Sequence, residues 1–446
     1  MNKIFIKLFL CLLWAGVCLV ACDRTAQNTP LPSDTILPAD TPLPTSPAQV
    51  KSNQERVLKP AVPANTLQTL VNGNNIFALD LYQALRIGEG NLLYSPYSIS
   101  LAFAMTYAGA RGQTETQMAQ TLHYDLPQNE FHPAFNQLDL MLMQKSDAEK
   151  EGTQPIQLEI ANAVWAQQDY AFLPEYLDIL ALNYGAGIYL SDFTTQAEET
   201  TDEINQWVSN QTHERIQDIL EPGELGPLTR MVLVNAIFFK ADWQNHFDAD
   251  DTRKAFFYLL DRSDVQVDMM SAYLYVPYLR GESYQAVRLP YADKTLVMEI
   301  IVPDPGQFEA FEAALDWPML QTILNGMHRA DLHLRMPKFT FSSRFDLAGT
   351  LGAMGMPDAF TPQAANFSGM DGKQVLSIDS VIHQAFIAVD ETGTEAAAST
   401  VIEIEVTEEA FESEIIVLTI DRPFIFIIRD LSSGQILFIG RVLDPT

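Results

Sequence analysis

The chain has 446 residues, 57 acidic against 27 basic side chains and a formal charge of −30, with 47% hydrophobic residues. That is enough apolar material for a large core, while the acidic excess argues against sequence-nonspecific binding to nucleic acid or to anionic membranes, whose phosphates would be repelled. All three cysteines, Cys11, Cys18 and Cys22, lie at the N-terminus, so the rest of the chain offers no disulfide, zinc cage or thiol nucleophile.

Residues 1–21 start with Lys3 and Lys7, run through an apolar stretch from Leu8 to Val20 and end at Ala21, the layout of a secretion signal rather than a spanning helix. Leu19-Val20-Ala21-Cys22 resembles a bacterial lipobox. It predicts cleavage before Cys22, acylation of the Cys22 sulfur and an extracytoplasmic, secreted protein that touches the membrane only through its lipid anchor. Residues 22–65 are rich in Pro, Thr and Ser, as in Thr29-Pro30-Leu31-Pro32 and Thr41-Pro42-Leu43-Pro44. They read as an extended tether that could reach up to roughly 100 Å at about 3.1 Å per residue. Residues 66–446 contain neither a second linker nor an internal repeat and are expected to form one large domain.

The first half of that domain is predicted to be mainly helical. Ile76, Phe77, Leu81, Ala84 and Leu85 share one helical face before Gly88 and Gly90. A second helix starts with Ser95 as cap and Pro96 in the first turn, and its near-continuous apolar run to Gly109 marks it as buried. Strands are predicted at 158–165, 231–240, 295–302, 332–339, 375–389, 424–428 and 435–442, several of them apolar on both faces as in a covered sheet.

Residues 390–414 alternate with period two. Thr394, Ala396, Ala398, Thr400, Ile402, Ile404 and Val406 form a small or apolar face opposite Glu395, Ala397, Ser399, Val401, Glu403, Glu405 and Thr407. The alternation stops at Thr407-Glu408-Glu409, where an exposed loop is expected to begin. Taken alone, the period describes an ordinary half-buried strand. Yet Ala396-Ala397-Ala398-Ser399 has little strand preference, and its small side chains offer little resistance to sliding between existing strands. Such a segment can switch between loop and strand.

Glu391-Thr392-Gly393-Thr394-Glu395-Ala396-Ala397-Ala398-Ser399-Thr400 resembles the hinge of the serpin family. Further motifs resemble the family's signatures in its order: Ser95-Pro96-Tyr97-Ser98-Ile99, Leu233-Val234-Asn235-Ala236-Ile237-Phe238-Phe239-Lys240 with Trp243, Met336-Pro337-Lys338-Phe339, and Asp421-Arg422-Pro423-Phe424. Ala241, Thr392 and Gln384 depart from the family's usual residues. The resemblance implies an α+β serpin-like single large domain: N-terminal-half helices packed on a large central mixed sheet, with an exposed insertable reactive loop at 390–414. It implies a protease inhibitor, not an enzyme, that acts as a suicide substrate on serine, or alternatively cysteine, proteases. In such an inhibitor the cleaved loop enters the sheet as a new strand and traps the acyl-enzyme.

By the same resemblance the hinge comprises Glu391, Gly393, Thr394, Ala396, Ala397, Ala398, Ser399 and Thr400. Ser95, Ser98, Asn235 and His383 lie at the sheet's opening, Trp243 lies where the loop enters, and Lys338 pairs with Glu391. Counting sixteen residues from Glu391 places the cut after Thr407, at Thr407–Glu408. Bonds following Glu408, Glu409, Ala410 and Phe411 compete, and a count back from Pro423 favours Glu412. No Lys or Arg occurs from Gln374 to Asp421, which disfavours trypsin-like partners and leaves elastase-like, subtilisin-like, glutamyl-specific or chymotrypsin-like enzymes. Six glutamates from Glu403 to Glu414 favour a partner with a basic rim.

A monomer with neither cofactor nor metal is expected. No catalytic motif such as Gly-x-Ser-x-Gly or His-Glu-x-x-His is found, and a calcium loop starting at Asp248 would place Leu259 where the bidentate Glu belongs. The alternative reading is a non-inhibitory serpin-fold binding or scaffold protein whose loop is only a substrate. A lipid-anchored solute-binding protein is a third, supported only by the leader and tether.

Overall fold

The computed structural model describes residues 48–146, 156–394 and 415–446. The leader, Cys22, the hinge residues Ala396 to Thr400 and every candidate cleavage point from Thr407 to Glu412 lie outside the described residues.

In chain order the elements begin with β1 (Gln49–Val50), α1 (Ala64–Leu85), β2 (Leu92–Tyr94), α2 (Pro96–Tyr107), α3 (Gly112–Thr121) and α4 (Gln128–Ser146). There follow β3 (Gln157–Gln167), α5 (Pro174–Tyr184), β4 (Ile188–Ser191), α6 (Ala197–Gln211), β5 (Met231–Asp242), β6 (Arg253–Tyr258), β7 (Asp264–Arg280), β8 (Tyr284–Pro290) and β9 (Leu296–Pro303). The rest are α7 (Phe308–Ala314), α8 (Trp317–Gly326), β10 (His328–Pro337), β11 (Phe339–Asp346), α9 (Ala348–Met354), α10 (Ser368–Asp371), β12 (Ser380–Val389), β13 (Gly393–Thr394), β14 (Ile416–Thr419), β15 (Phe424–Asp430) and β16 (Ile436–Val442).

Two sheets organise these elements. A seven-stranded mixed sheet runs β1-β4-β3-β5-β13-β12-β11, and a second runs β14-β10-β7-β8-β9-β15-β16-β2, with β6 paired to β7. The first is covered on both faces. On one side α2 packs against β3 and β5; all twelve of its residues are buried, the Ser95 hydroxyl accepts the Ser98 N–H as cap, and Pro96 takes the first turn. On the other side Ile204 and Val208 of α6 pack with Val232, Val234 and Ala236 of β5. Cover on both faces is why Met231–Asp242 is apolar in both phases.

The strand boundaries refine the expectations. The stretch expected as one strand at 332–339 is two, β10 and β11, separated at Lys338, whose N–H turns to the Asp268 carbonyl (2.9 Å). The strand expected from Val375 begins at Ser380, because the Ile378 and Asp379 N–H groups bond instead to Ala359 and Met231 carbonyls (3.0 and 2.9 Å).

The expected tether also differs at its C-terminal end. Residues 48–63 form a strap on the body: β1 pairs with β4, and the Val57 N–H reaches the Leu182 carbonyl at 2.9 Å. Arg56 Nη2 meets Asp139 Oδ2 at 2.6 Å and its Nε donates to Asn136 at 2.8 Å, with both charged side chains largely buried. Half-buried ion pairs and backbone bonds hold polar sequence that has no apolar period, so this attachment is invisible to pattern reading.

Candidate functional site

The centre of the seven-stranded sheet is open at one end. β5 and β12 pair in parallel from Val232↔Ser380 to Phe238↔Phe386, and beyond that point they part. β13 occupies the gap, with Thr394 opposite Ala241 on β5 and Val389 on β12, and Gly393 opposite Asp242. Gly393 is needed there because a Cβ would collide with the Ala241 carbonyl oxygen.

Below the gap a buried polar network crosses the sheet onto α2. The Ser95 N–H donates to His383 Nε2 at 3.1 Å, and His383 Nδ1 bonds the Asn235 side-chain oxygen. A backbone N–H can only donate, so Nε2 must present its lone pair and Nδ1 must carry the proton. The Asn235 amide donates to Ser98 Oγ at 2.5 Å and to the Asn162 oxygen. Ser98 Oγ lies 3.3 Å from Asn162 Oδ1, and the Asn162 amide returns to the Ser98 carbonyl at 3.2 Å. Every polar atom of the Asn235 side chain is thus satisfied in a dry site, where a missing partner would be expensive. Ser95, Ser98, Asn235 and His383, which the sequence reading groups together, do meet. Asn162 was missed, although a lone Asn in the apolar strand 158–165 was its signal.

Burial lowers the His383 pKa to about 3. An unfolded imidazole titrates near 6.5, so above that pH both states are neutral and His383 adds no pH dependence. Between about 6.5 and about 3 the unfolded chain binds a proton that the native site refuses, and native stability falls with acidity by up to about 1.4 kcal/mol per pH unit. His132, also pushed down to about 3 by burial, adds to the same slope. Chemical unfolding midpoints measured from pH 7.5 to 4 are expected to fall in the native protein and to fall less steeply in His383→Asn. Identical slopes would show that His383 is not a neutral buried imidazole.

Above the gap the hinge is tied at several points. The Trp243 indole stacks on Tyr291 (centroids 4.7 Å, planes 8° apart), and its Nε1–H donates to the Asp390 carbonyl at 3.0 Å. The Trp243 and Phe247 N–H groups hold the Thr392 and Glu391 carbonyls at 2.8 and 2.9 Å. Lys338 Nζ lies 2.7 Å from Glu391 Oε2, and Thr252 Oγ1 donates to Oε1 at 2.7 Å. Burial alone would raise the Glu391 carboxyl, but these two donors outweigh it and hold the pKa below the ordinary value. The Asp390 carboxylate closes the turn through Thr392 and Gly393 N–H groups. Thr394 is fully buried, with its hydroxyl 2.7 Å from that of Tyr291. Lys338 and Glu391 thus pair, and Trp243 lies against the hinge turn, whereas Tyr291, Thr252 and Asp390 were not foreseen.

A family model described as Serpin (serine protease inhibitor) matches residues 72–445. A serpin-like protein of Thermococcus kodakarensis is 39% identical over 376 residues, covering 84% of this chain and 86% of the relative. Leukocyte elastase inhibitor A of Mus musculus is 34% identical over 398 residues, covering 85% of this chain and all of the relative. Among solved structures, the thermophilic serpin tengpin in its native state aligns with TM-score 0.76 at 27% identity, covering 90% of this chain and all of that one.

Proposed function

The chain belongs to the serpin family, and from that premise we propose that it inhibits proteases as a suicide substrate with residues 391–414 as bait. Family membership and likeness to elastase inhibitors support protease inhibition in general. The insertion mechanism rests on the register of the open sheet.

β13 runs antiparallel to both neighbours, and β5 and β12 are paired at one constant offset. Extending β13 downward therefore brings each new residue between two residues that now face each other in register: Ala397 between Phe238 and Phe386, Thr400 between Asn235 and His383, Glu403 between Val232 and Ser380. Neither slip nor bulge is required. Even-numbered bait residues fall on the core side with Ala241, Phe239 and Ile237, in agreement with the small and apolar phase of the alternation. Glu395 falls beside Lys240. The Thr400 hydroxyl arrives where the His383–Asn235 bond must open, so the parted groups gain a new partner. In the sequence of events, the protease forms an acyl-enzyme at the cut bond, the free end zips into the gap, and the attached enzyme is carried away before water can release it.

The bait's lack of Lys and Arg supports elastase-like, subtilisin-like, glutamyl-specific or chymotrypsin-like serine proteases as targets, with Thr407–Glu408 as the cut. Attachment outside the cytoplasm through acylated Cys22 completes the reading; the full chain expressed with its leader should sediment with membranes, and Cys22→Ser should not. The direct experiment mixes the full chain with elastase, subtilisin, a glutamyl endopeptidase and chymotrypsin. A complex that survives denaturing electrophoresis is expected with at least one enzyme, and the cut bond is read by mass spectrometry. Clean cleavage by all of them, with no complex, would leave a serpin fold whose loop is only a substrate.

A further inference from the structure

We propose that the cavity between the β6–β7 hairpin, the β9–α7 turn and the β14–β15 turn binds an amphipathic monocarboxylate, an alkyl or aryl body ending in one carboxylate. The site lies outside the bait and goes beyond the reading of the protein as an inhibitor.

The cavity encloses about 550 Å³ and is partly open to solvent, a size within the ordinary range of ligand pockets. Its walls come from segments far apart in sequence that are tied to one another. The Tyr258 N–H donates to the Asp421 carbonyl at 2.7 Å, and Arg422 Nε donates to the Pro303 carbonyl at 2.8 Å. The space therefore exists before anything binds, and an occupant need not order its own site. Leu259, Leu260, Pro303, Phe308 and Pro423 supply apolar wall. Tyr258 and Leu260 are 51% and 43% exposed, large apolar side chains left uncovered in the same lining.

The charges of the lining set the class of ligand. Asp304 accepts from both Nη groups of Arg280 at 2.7 Å, and Asp421 accepts from Nη1 of Arg422 at 2.9 Å. These carboxylates are already neutralised. Arg262, by contrast, has neither an ion pair nor a side-chain hydrogen bond among the described residues.

Its backbone sharpens the contrast. The Leu259 N–H reaches the Ser263 carbonyl at 2.8 Å and the Arg262 N–H reaches the Leu259 carbonyl at 3.1 Å, closing the hairpin with residue 262 at φ 72°. A loop of this shape usually places glycine there. A free guanidinium thus lines the cavity at a position where the turn alone would favour a residue without a side chain. In a protein of net charge −30, a lone cation beside apolar walls selects an anion with an apolar body. Glu309, exposed in the same lining and without an ion-pair partner among the described residues, would repel a second anionic end and restricts the ligand to one carboxylate.

The test titrates decanoate into the full chain by isothermal calorimetry at about 0.15 M salt, with decan-1-ol and decanedioate as probes of the headgroup. Decanoate is expected to bind one to one and at least tenfold more tightly than either. Arg262→Gly, which suits the φ of the turn, should weaken decanoate at least tenfold without lowering the thermal midpoint of the free protein. Leu260→Glu, at an exposed position, should abolish binding by placing a charge in the apolar wall. Glu309→Gln should narrow the gap between decanoate and decanedioate, and an unchanged gap would overturn the restriction to one carboxylate. The site itself is overturned by absence of decanoate binding, by affinity that neither Arg262→Gly nor Leu260→Glu alters, or by equal affinities for decanoate and decan-1-ol.

Discussion

Replacing Thr394 with arginine is expected to convert the protein from an inhibitor to a substrate: the bait is still cut, at an unchanged bond, but no complex survives denaturing electrophoresis. Thr394 is the deepest described residue of the hinge, fully buried between β5 and β12 with its hydroxyl on Tyr291. The site is dry enough that burial pushes the Tyr291 phenol far above its ordinary range. An arginine there would bring a cation among Ala241, Val389 and Tyr291, described neighbours of Thr394 that carry no carboxylate, and an unpaired buried charge costs several kcal/mol. The hinge would stay outside, and insertion would have to bury that charge at its first step. In the proposed mechanism trapping depends on insertion outrunning hydrolysis of the acyl-enzyme, so a barrier higher by about 3 kcal/mol would slow insertion roughly 150-fold and hand the race to water. Thr394→Ser, which keeps the hydroxyl and the volume small, should still form the complex. Undiminished complex formation by Thr394→Arg would rule out entry through this gap.

How much of this site could be read beforehand depended on whether its cause was local. The hinge was legible because its demands act on consecutive residues: Gly393 where a Cβ would strike Ala241, Thr394 where the side chain goes under, and then a small-residue run. β5 was legible because a strand covered on both faces has no polar phase. β7 was missed although it is seventeen residues long. Its buried positions alternate through Val267 and Met269, shift phase at Met270, and resume at Leu274 and Val276, so no single period-two window spans it. Tyr291 and Asn162 carry no local mark of their roles, since each acts through a partner distant in sequence: Thr394 and Trp243 for the first, Ser98 and Asn235 for the second. The strap from Ala48 to Pro63 was hidden for a related reason, its attachment turning on Arg56 finding Asp139 and Asn136 rather than on any apolar stripe.

Cutting the bait is expected to raise the midpoint of thermal unfolding by tens of degrees, as stored strain is released when the loop inserts. In the intact chain, seven direct pairs join β5 to β12 below the gap, and among the described residues only Gly393 and Thr394 stand between the strands. Once the far end of the bait is free, residues 395–403 can enter in register. The seven pairs are then exchanged for two full antiparallel ladders, with Ala396, Ala398 and Ile402 buried on the core side. Each backbone bond gained contributes about 1 kcal/mol, and burying an isoleucine contributes about 1.5–3 kcal/mol. Opening the His383–Asn235 contact opposes this, but Thr400 enters at that level with a hydroxyl that can serve both sides. The exchange therefore strongly favours lengthening β13 into a full central strand once the chain is cut, and before cutting the anchored ends at Glu391 and Ile416 prevent it. The measurement is a thermal scan before and after limited cleavage, with Thr394→Arg alongside. The parent should gain stability while the variant, cut at the same bond, should not. A parent that unfolds at the same temperature cut or uncut would mean that the bait does not become a strand, whatever complexes form.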